Sequence, residues 1–594
     1  MTFGIGSKNL LRSLQILSHL VEIGVNYFIL CPGSRSAPLA IAAGEFYKKG
    51  KIKLYNSIDE RSAGFHGLGI SAASGDMTVV ITTSGTAVAN LLPSAVEADR
   101  SNNSILFLTA DRPFRLKNCG ANQTVNQEDF LTSVCRKCIT TNKKGLHYVE
   151  DLEIQSLIDS INLKNSFCPG PIHLNIPFEK PLIVSKDEKD LILDLFERNY
   201  FIKNSRIIQK KHLKKSVQFN SINSNIFNTI NINKTGIIIV GPYQGSIKDL
   251  QDFNIALEKI QYLSGWPVFA DPCSGVNSNL RGVIDNWELI ISNKNKAIKC
   301  DQILRLGPLP TSDYLEEFLN KFKGSQILIK ERNLRILDPL KKSLEYELGL
   351  KRFVNELFAI NSYESLSNKP LIKLARELIN DGQEISLIFK NQLLKSNKIT
   401  ELSLANFIPR LWPENHPIML SASSPIRDWL SFSENGTLSR RCFSFRGASG
   451  IDGTLSLALG IARIHKPLLL VTGDLAFLHD INGWLIENCL DANLTILLLD
   501  NEGGNIFNRL YEKSLNEEEI RKLFVMPKVI NWERMAEAYD IPYRIESELN
   551  NLKDCFAWSL SMPKSSIIKV SIDKAYEMYQ RRSIFNSIYG NIPH

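Results

Sequence analysis

Three doubly wound α/β units in a row are what this 594-residue sequence predicts. Apolar runs of strand length, without polar alternation, recur between helix-length stretches, as in parallel sheets covered on both faces. Most of these runs end on glycine and polar residues, the arrangement of a sheet whose carboxyl edge binds ligands. Two polar, asparagine-rich connections, at residues 185–234 and 361–368, divide the series into three.

The opening stretch, MTFGIGSKNLLRSLQILSHLVEIGV, mixes charged and apolar positions as an amphipathic helix does and lacks the layout of a signal peptide. Strands are predicted at 25–30, 52–57, 78–82 and 104–109, each running into a polar turn, with a last strand and exit turn in FCPGPIHLNIPFEKPL at 167–182. A second unit carries strands at 236–240, 267–270, 302–306 and 326–329. The third starts near Pro370, with strands at 417–420, 467–471, 494–499 and 566–570. Its centre, KPLLLVTGDLAFLHDINGWLIENCLDANLTILLLDNEGGNIF at 466–507, reads as a strand, a helix within 478–490 and a second strand. The right-handed crossover rule makes those two strands parallel.

Composition excludes several function classes. With 44% hydrophobic and 22% charged residues the chain has ordinary soluble composition. No apolar run reaches the ~20 residues of a membrane span. A net charge of +8, from 70 basic and 62 acidic residues, is too slight for dedicated nucleic-acid binding. The densest basic run, KKHLKK at 210–215, lacks interleaved aromatics and reads as a solvated linker face. Ten cysteines without regular spacing fit a reducing compartment, and Cys135 with Cys138 forms a lone CxxC. A cytoplasmic or organelle-stroma protein without membrane insertion is expected.

Asp474 and Asn501 stand at the carboxyl ends of the two central strands of the third unit, followed by the glycine pair Gly503 and Gly504. One carboxylate, one amide oxygen and exposed backbone carbonyls suit a hard octahedral cation such as Mg2+ that shares phosphate oxygens. A helix starting after Asp474 would add amide donors for an anion. The same residues also suit a plain βαβ unit with a capping aspartate and a turn asparagine.

Glu60 follows a strand, flanked by Asp59 and Arg61 and succeeded by small and apolar residues that would bury it. A buried carboxylate has a raised pKa and can share a proton with a ring nitrogen; a helix-capping glutamate is the alternative. Arg35 in PGSRS and Arg112 in ADRP end strands, where a guanidinium can fork onto a carboxylate or pair within the fold. Ser34 and Gln123 could add neutral donors or cap turns. In SASSPIRDW, Ser423 and Arg427 follow a strand, and FRGASGIDGTLSLALG leads from a glycine-rich loop holding Ile451 into a helix. Ile451, Ile506 and Phe507 are either walls of a site or core side chains.

Taken together, CPGSRSAPLA, DERSAGFHGLG, TTSGTAVANLLPSAVEA, ADRP, CGANQT, RGASGIDG, GDLAFLHDINGW and NEGGNIF, in that order, resemble the 2-succinyl-5-enolpyruvyl-6-hydroxy-3-cyclohexene-1-carboxylate synthases. These are thiamine diphosphate (ThDP) enzymes of menaquinone and phylloquinone biosynthesis. Leu475, where ThDP enzymes in general carry glycine, agrees with this family. The resemblance implies three consecutive doubly wound α/β domains of the ThDP-dependent decarboxylase/carboligase type. They would be a pyrimidine-binding domain at 1–184, a linker at 185–234, a central domain at 235–360 and a diphosphate-binding domain at 361–594. It further implies a carboligase that decarboxylates 2-oxoglutarate and adds the resulting succinyl-semialdehyde carbanion to isochorismate. Asp474, Asn501 and the Gly503 carbonyl would hold Mg2+, or Mn2+ in its place. Glu60 would activate the cofactor at its aminopyrimidine, Ile451 would support its bent form, and Ile506 and Phe507 would wall the thiazolium. Arg35, Arg112, Arg427 and Arg446 would bind substrate carboxylates, with Ser34, Gln123 and Ser423 assisting. A homodimer or dimer of dimers is implied, the first unit of one chain working with the third of another.

Two positions depart from the family pattern. Asp313 and Tyr314 follow QILRLGPLPTS, where the family often carries a basic residue, and Glu502 follows Asn501 in place of a second asparagine. Rival readings are an acetohydroxyacid synthase-like decarboxylase or carboligase, which would turn over pyruvate without isochorismate, and a ThDP-fold regulatory subunit, which would lack Glu60 or Asp474. Nucleotide binding by the middle unit rests on its α/β pattern and GPYQGS alone, without a Walker sequence.

Overall fold

The computed structural model describes residues 3–161, 168–207, 229–331, 333, 335–361, 369–393, 395–434, 440–511 and 514–590. Two sequence readings, the basic run at 210–215 and the polar connection at 362–368, lie outside them.

Among the described residues, seventeen strands form three sheets, and every pairing within them is parallel. The first sheet holds β1 (Tyr27–Leu30), β2 (Lys53–Asn56), β3 (Thr78–Thr82), β4 (Ile105–Asp111), β5 (Lys137–Thr140) and β6 (Pro171–Pro177), in the order β2-β1-β3-β4-β6-β5. The second holds β7 (Gly236–Val240), β8 (Val268–Ala270), β9 (Gln302–Leu306), β10 (Ser325–Ile329) and β11 (Leu344–Tyr346), in the order β11-β10-β9-β7-β8. The third holds β12 (Ile418–Leu420), β13 (Cys442–Ser444), β14 (Leu468–Gly473), β15 (Leu494–Asp500), β16 (Tyr543–Glu546) and β17 (Ser566–Ser571), in the order β13-β12-β14-β15-β17-β16. The first and third sheets thus share one topology. In both, the chain moves outward from the first strand in one direction and then returns to build in the other, so each sheet is doubly wound. The crevices where ligands bind such folds lie beyond β1 and β3 in the first sheet, and beyond β12 and β14 in the third.

The interior strands β3, β4 and β6 are buried along their whole length. β3, and β4 up to Leu108, are correspondingly apolar without alternation, whereas β6 alternates His173 and Asn175 with apolar residues, both hydrogen-bonded to the Thr109 hydroxyl. The chain forms two compact units, residues 1–223 with 485–488 and residues 224–484 with 489–594. The core of the first gathers Phe28, Leu106 and Leu174 from its strands, and Phe178 just past β6, with Leu14 and Leu17 of the opening helix Ile5–Glu22. In the second unit the middle and third sheets share a continuous core, running from Ile237 and Phe269 through Trp287 and Phe389 to Leu469 and Ile568.

Three expectations are corrected. The segment read as a polar linker with little periodicity begins with a 22-residue helix, Lys186–Ile207. Only Ile192 among its described side chains is buried, so its apolar stripe is too narrow to read as a helix. The crossover helix within 478–490 is instead a short helix, Asp474–His479, followed by two 3₁₀ turns, Ile481–Leu485 and Cys489–Ala492. The Asp480 carboxylate accepts hydrogen bonds from the backbone N–H and the hydroxyl of Ser456, at 2.6 and 3.0 Å, tying the end of that short helix to the start of the next one over. Finally, β5, β11, β13 and β16 are strands at positions where the sequence reading places none.

Among the described residues, no helix is long and apolar enough to cross a membrane.

Candidate active site

In the second unit, a cavity of about 360 Å³ opens at the crevice beyond β12 and β14. Its wall includes Ser423, Arg427, Ile451, Asp474, Asn501, Gly503, Ile506 and Phe507, so eight of the sequence-predicted residues converge there. Asp474 opens the short helix that follows β14. Its carboxylate accepts from two backbone N–H groups, those of Leu475 and Gly503, both at 2.7 Å. The second bond ties the turn after β15 to the end of β14. Despite both bonds, burial pushes the Asp474 carboxyl up to about 6.

Asn501, directly after β15, is buried; its Nδ2 donates to Glu401 Oε1 at 2.6 Å, and its Oδ1 has no hydrogen-bond partner. Gly503 adopts φ +113°, and a Cβ there would lie 2.1 Å from the Val525 carbonyl oxygen, so only glycine fits. Its own carbonyl accepts from the Asn505 N–H at 2.8 Å, which leaves one lone pair. A buried carboxylate held above its usual range and an orphaned amide oxygen in one wall form the donor set that Mg2+ accepts beside phosphate oxygens. These residues fit a diphosphate-bound cation.

The opposite wall comes from the start of helix Ser424–Phe432. Ser423 precedes it at φ +77°, an uncommon conformation for a residue other than glycine, and its carbonyl accepts from Arg427 Nη1 at 2.8 Å. Burial, and then the charges of Arg446 and Arg509, lower the Arg427 pKa. The charges of Asp313, the first residue of helix Asp313–Lys321, and of Asp428 partly offset them. Arg509 is paired with Asp428 at 2.9 Å, which leaves Arg427 as the guanidinium in the cavity wall. Phe507 stacks with Tyr511 at 6.0 Å between centroids and also packs on Phe524, which fixes it as a wall.

In the first unit, Arg35 follows β1 and Arg112 follows β4. Arg35 is buried, and its Nη1 donates to the Phe178 carbonyl at 2.7 Å. Burial, then the charge of Arg112, lowers its pKa. Arg112 Nη1 donates to the Gln123 carbonyl at 2.6 Å and to the Ser84 hydroxyl, while Gln123 Nε2 donates to the Ser84 carbonyl at 2.9 Å. The Arg112 and Gln123 segments therefore meet over the turn that ends β3. Ser34 is exposed at the tip of the turn after β1. Glu60 is the first residue of helix Glu60–Ser74, and the cap is its neighbour Asp59, whose side chain accepts from the Ser62 N–H. Glu60 is thus not the helix cap. Burial, reinforced by the charge of Asp59, raises its pKa.

Sequence reasoning missed Glu401 and Arg509. Glu401 lines the cavity and Arg509 anchors the helix that carries Arg427, through Ser424 and Asp428. Each looks like an ordinary surface charge in its local sequence, and only the tertiary fold buries Glu401 and half-buries Arg509. Cys135 and Cys138 are free thiols. Among the described residues, the one group of side chains close enough to share a metal is Glu401, Asp428 and Glu577. Arg509 and Arg581 occupy that cluster, each 2.9 Å from Asp428, so it is an ion network.

Residues 13–130 match the family described as thiamine pyrophosphate enzyme, N-terminal TPP binding domain. A 2-succinyl-5-enolpyruvyl-6-hydroxy-3-cyclohexene-1-carboxylate synthase of Prochlorococcus marinus strain MIT 9515 is 60% identical over 591 residues, covering 100% of both chains. A relative of the same name from strain NATL2A is 44% identical over 573 residues, covering 96% of this chain and 95% of its own. A thiamine diphosphate-dependent 4-hydroxybenzoylformate decarboxylase of Rhodococcus jostii RHA1 superposes with a TM-score of 0.66 at 13% identity, over 95% of this chain and 99% of its own; it shares the fold. With near-identical length and this level of identity, the chain belongs to the 2-succinyl-5-enolpyruvyl-6-hydroxy-3-cyclohexene-1-carboxylate synthase family and is a ThDP-dependent enzyme.

Proposed function

We propose that the chain decarboxylates 2-oxoglutarate and joins the remaining succinyl-semialdehyde unit to isochorismate, with Mg2+, or Mn2+ in its place, as the metal. The observation that carries this reading is Arg427 in the wall of the Asp474–Asn501 cavity, with Arg446 and Arg509 as its charged neighbours. Both substrates are dicarboxylates; Arg509 is already paired with Asp428, whereas Arg427 lines the cavity with its Nη1 on the Ser423 carbonyl and can fork onto a carboxylate there. The name carried by the relatives supports the same substrates.

Bound ThDP supplies a carbon that adds to a keto group and an electron sink for the pair left by CO2. The chain's residues bind and orient around it. Asp474, Asn501 and the Gly503 carbonyl hold the metal, which neutralises the diphosphate. Glu60, whose pKa burial raises, would share a proton with the aminopyrimidine N1′. Ile451, Ile506 and Phe507 line the cavity and would pack on the cofactor there and exclude water from its reactive ring. Arg427 and Arg446, with Ser423, take one set of carboxylates. Arg35 and Arg112, with Ser34 and Gln123, take another, delivered by a second copy of the chain in a homodimer or dimer of dimers. Residues 1–184, 235–360 and 361–594 would then be the pyrimidine-binding, central and diphosphate-binding domains, joined through 185–234.

The test is isochorismate consumption by purified protein with ThDP and Mg2+, omitting one component at a time. Loss of isochorismate only in the complete mixture is expected. Decarboxylation of pyruvate with isochorismate untouched would replace this reading with an acetohydroxyacid synthase-like one.

A further inference from the structure

Asn501 can serve as a metal ligand only if its carboxamide presents oxygen, and the amide is close to symmetric in shape. A half-turn of the side chain would swap the ligand oxygen for an NH2 group, which repels a cation. Something must therefore fix the orientation, and the structure offers one contact that does so. Asn501 Nδ2 donates to Glu401 Oε1 at 2.6 Å, leaving Oδ1 buried without a protein partner in the cavity wall that Asp474 shares. An NH2 group facing Glu401 gains a hydrogen bond, whereas a carbonyl oxygen there would face another acceptor.

Glu401 is itself held on rigid elements. It is the first residue of helix Glu401–Leu411, where Thr400 and Ser403 close a capping box. The Thr400 hydroxyl donates to Gln580 Oε1 at 2.7 Å, and the Glu401 N–H donates to Glu577 Oε2 at 3.2 Å. The second carboxylate oxygen of Glu401 faces Arg509 Nη2 at 3.9 Å. Arg509 Nη1 donates to Asp428 at 2.9 Å, and its other nitrogen donates to Ser424, both on the helix that carries Arg427. A continuous set of contacts thus runs from the ligand amide to the arginine that faces substrate.

We infer that Glu401 is a positioning residue that locks the Asn501 carboxamide with its oxygen toward the metal. The inference rests on the proposed metal site at Asp474 and Asn501 and adds the group that orients it. What the role requires is an acceptor at Oε1. Glutamine keeps that acceptor and methionine keeps the length of the side chain without it.

The experiment is Mn2+ binding to the full chain in the presence of ThDP, followed by electron paramagnetic resonance of free Mn2+, in wild type, Glu401→Gln, Glu401→Met, Asn501→Ala and Glu401→Met/Asn501→Ala. Glu401→Met is expected to weaken Mn2+ about 10- to 100-fold, the usual cost of removing a partner that orients a metal ligand. Glu401→Gln is expected to stay within about threefold of wild type, and Glu401→Met is expected to add little in the Asn501→Ala background. Thermal unfolding of the metal-free proteins identifies a folding defect, and affinities are taken on the folded fraction. Wild-type affinity in Glu401→Met, or equal losses in Glu401→Gln and Glu401→Met, would overturn the positioning role. An undiminished effect of Glu401→Met in the Asn501→Ala background would overturn it too. Wild-type protein that takes up no Mn2+ with ThDP would instead overturn the metal site itself, and with it this inference.

Discussion

Replacing Gly503 by alanine tests the geometry of the proposed metal site with a single added carbon. The new Cβ would lie 2.1 Å from the Val525 carbonyl oxygen, against the 3.0 Å below which such contacts essentially never occur, so the turn must move by about 0.9 Å. The φ of +113° adds strain of about 1–3 kcal/mol for any side chain. That movement pulls the Gly503 N–H from Asp474 Oδ2, a charge-assisted bond at 2.7 Å, and shifts the Gly503 carbonyl with it. A misplacement of about 1 Å in a preorganised site costs about 100-fold, or about 2.7 kcal/mol. Gly503→Ala should therefore weaken Mn2+ binding in the presence of ThDP by about two orders of magnitude. Calorimetric titration measures this, with unfolding of the apo protein as a control for global damage. Affinity within threefold of wild type in a folded variant would show that this turn does not build the site.

Other expectations concern single groups. Glu60→Gln should bind ThDP and Mg2+ as wild type does yet lose most turnover, about 100-fold or more for a group acting in proton transfer; near-normal turnover would remove Glu60 from the chemistry. Arg427→Ala should raise KM for a dicarboxylate substrate by about tenfold or more with little change in unfolding, and an unchanged KM would return that arginine to a structural role. Burial pushes the Glu288 carboxyl up to about 7, against an ordinary value of 4.5. The folded chain therefore holds a proton there that the unfolded chain has released, so stability present below about pH 4.5 is lost as pH rises through 7. Glu288→Gln should remove that slope and stabilise the chain at pH 8 by up to about 3 kcal/mol; equal urea midpoints for variant and wild type at pH 8 would contradict it.

The interior of each sheet was legible because strands buried on both faces are largely apolar, as 236–240 and 468–471 are. The strands that escaped, β5, β11, β13 and β16, all lie at sheet edges. In β5, Lys137 and Cys138 are exposed, and in β16 Ile545 is exposed, so their sequences follow local surroundings and not a pattern of burial. The third unit's crossover misled for a different reason. Its residues have helical apolar spacing, but Asp480 spends its carboxylate on Ser456 and Asn488 takes φ +53°, both choices imposed by neighbouring elements. Site residues at strand ends were legible because topology alone brings such ends together. Glu401 was not, since TELS reads as an ordinary capped helix start and its contact with Asn501 joins positions far apart in the chain.

The central claim is a decarboxylation coupled to carbon–carbon bond formation between two dicarboxylates. It is tested most directly by supplying 2-oxoglutarate labelled with ¹³C in the carboxylate next to its keto group, together with isochorismate, ThDP and Mg2+. The account predicts one labelled CO2 released for each isochorismate consumed and an unlabelled adduct carrying both skeletons. Label retained in the adduct, or CO2 released at an undiminished rate without isochorismate, would contradict it.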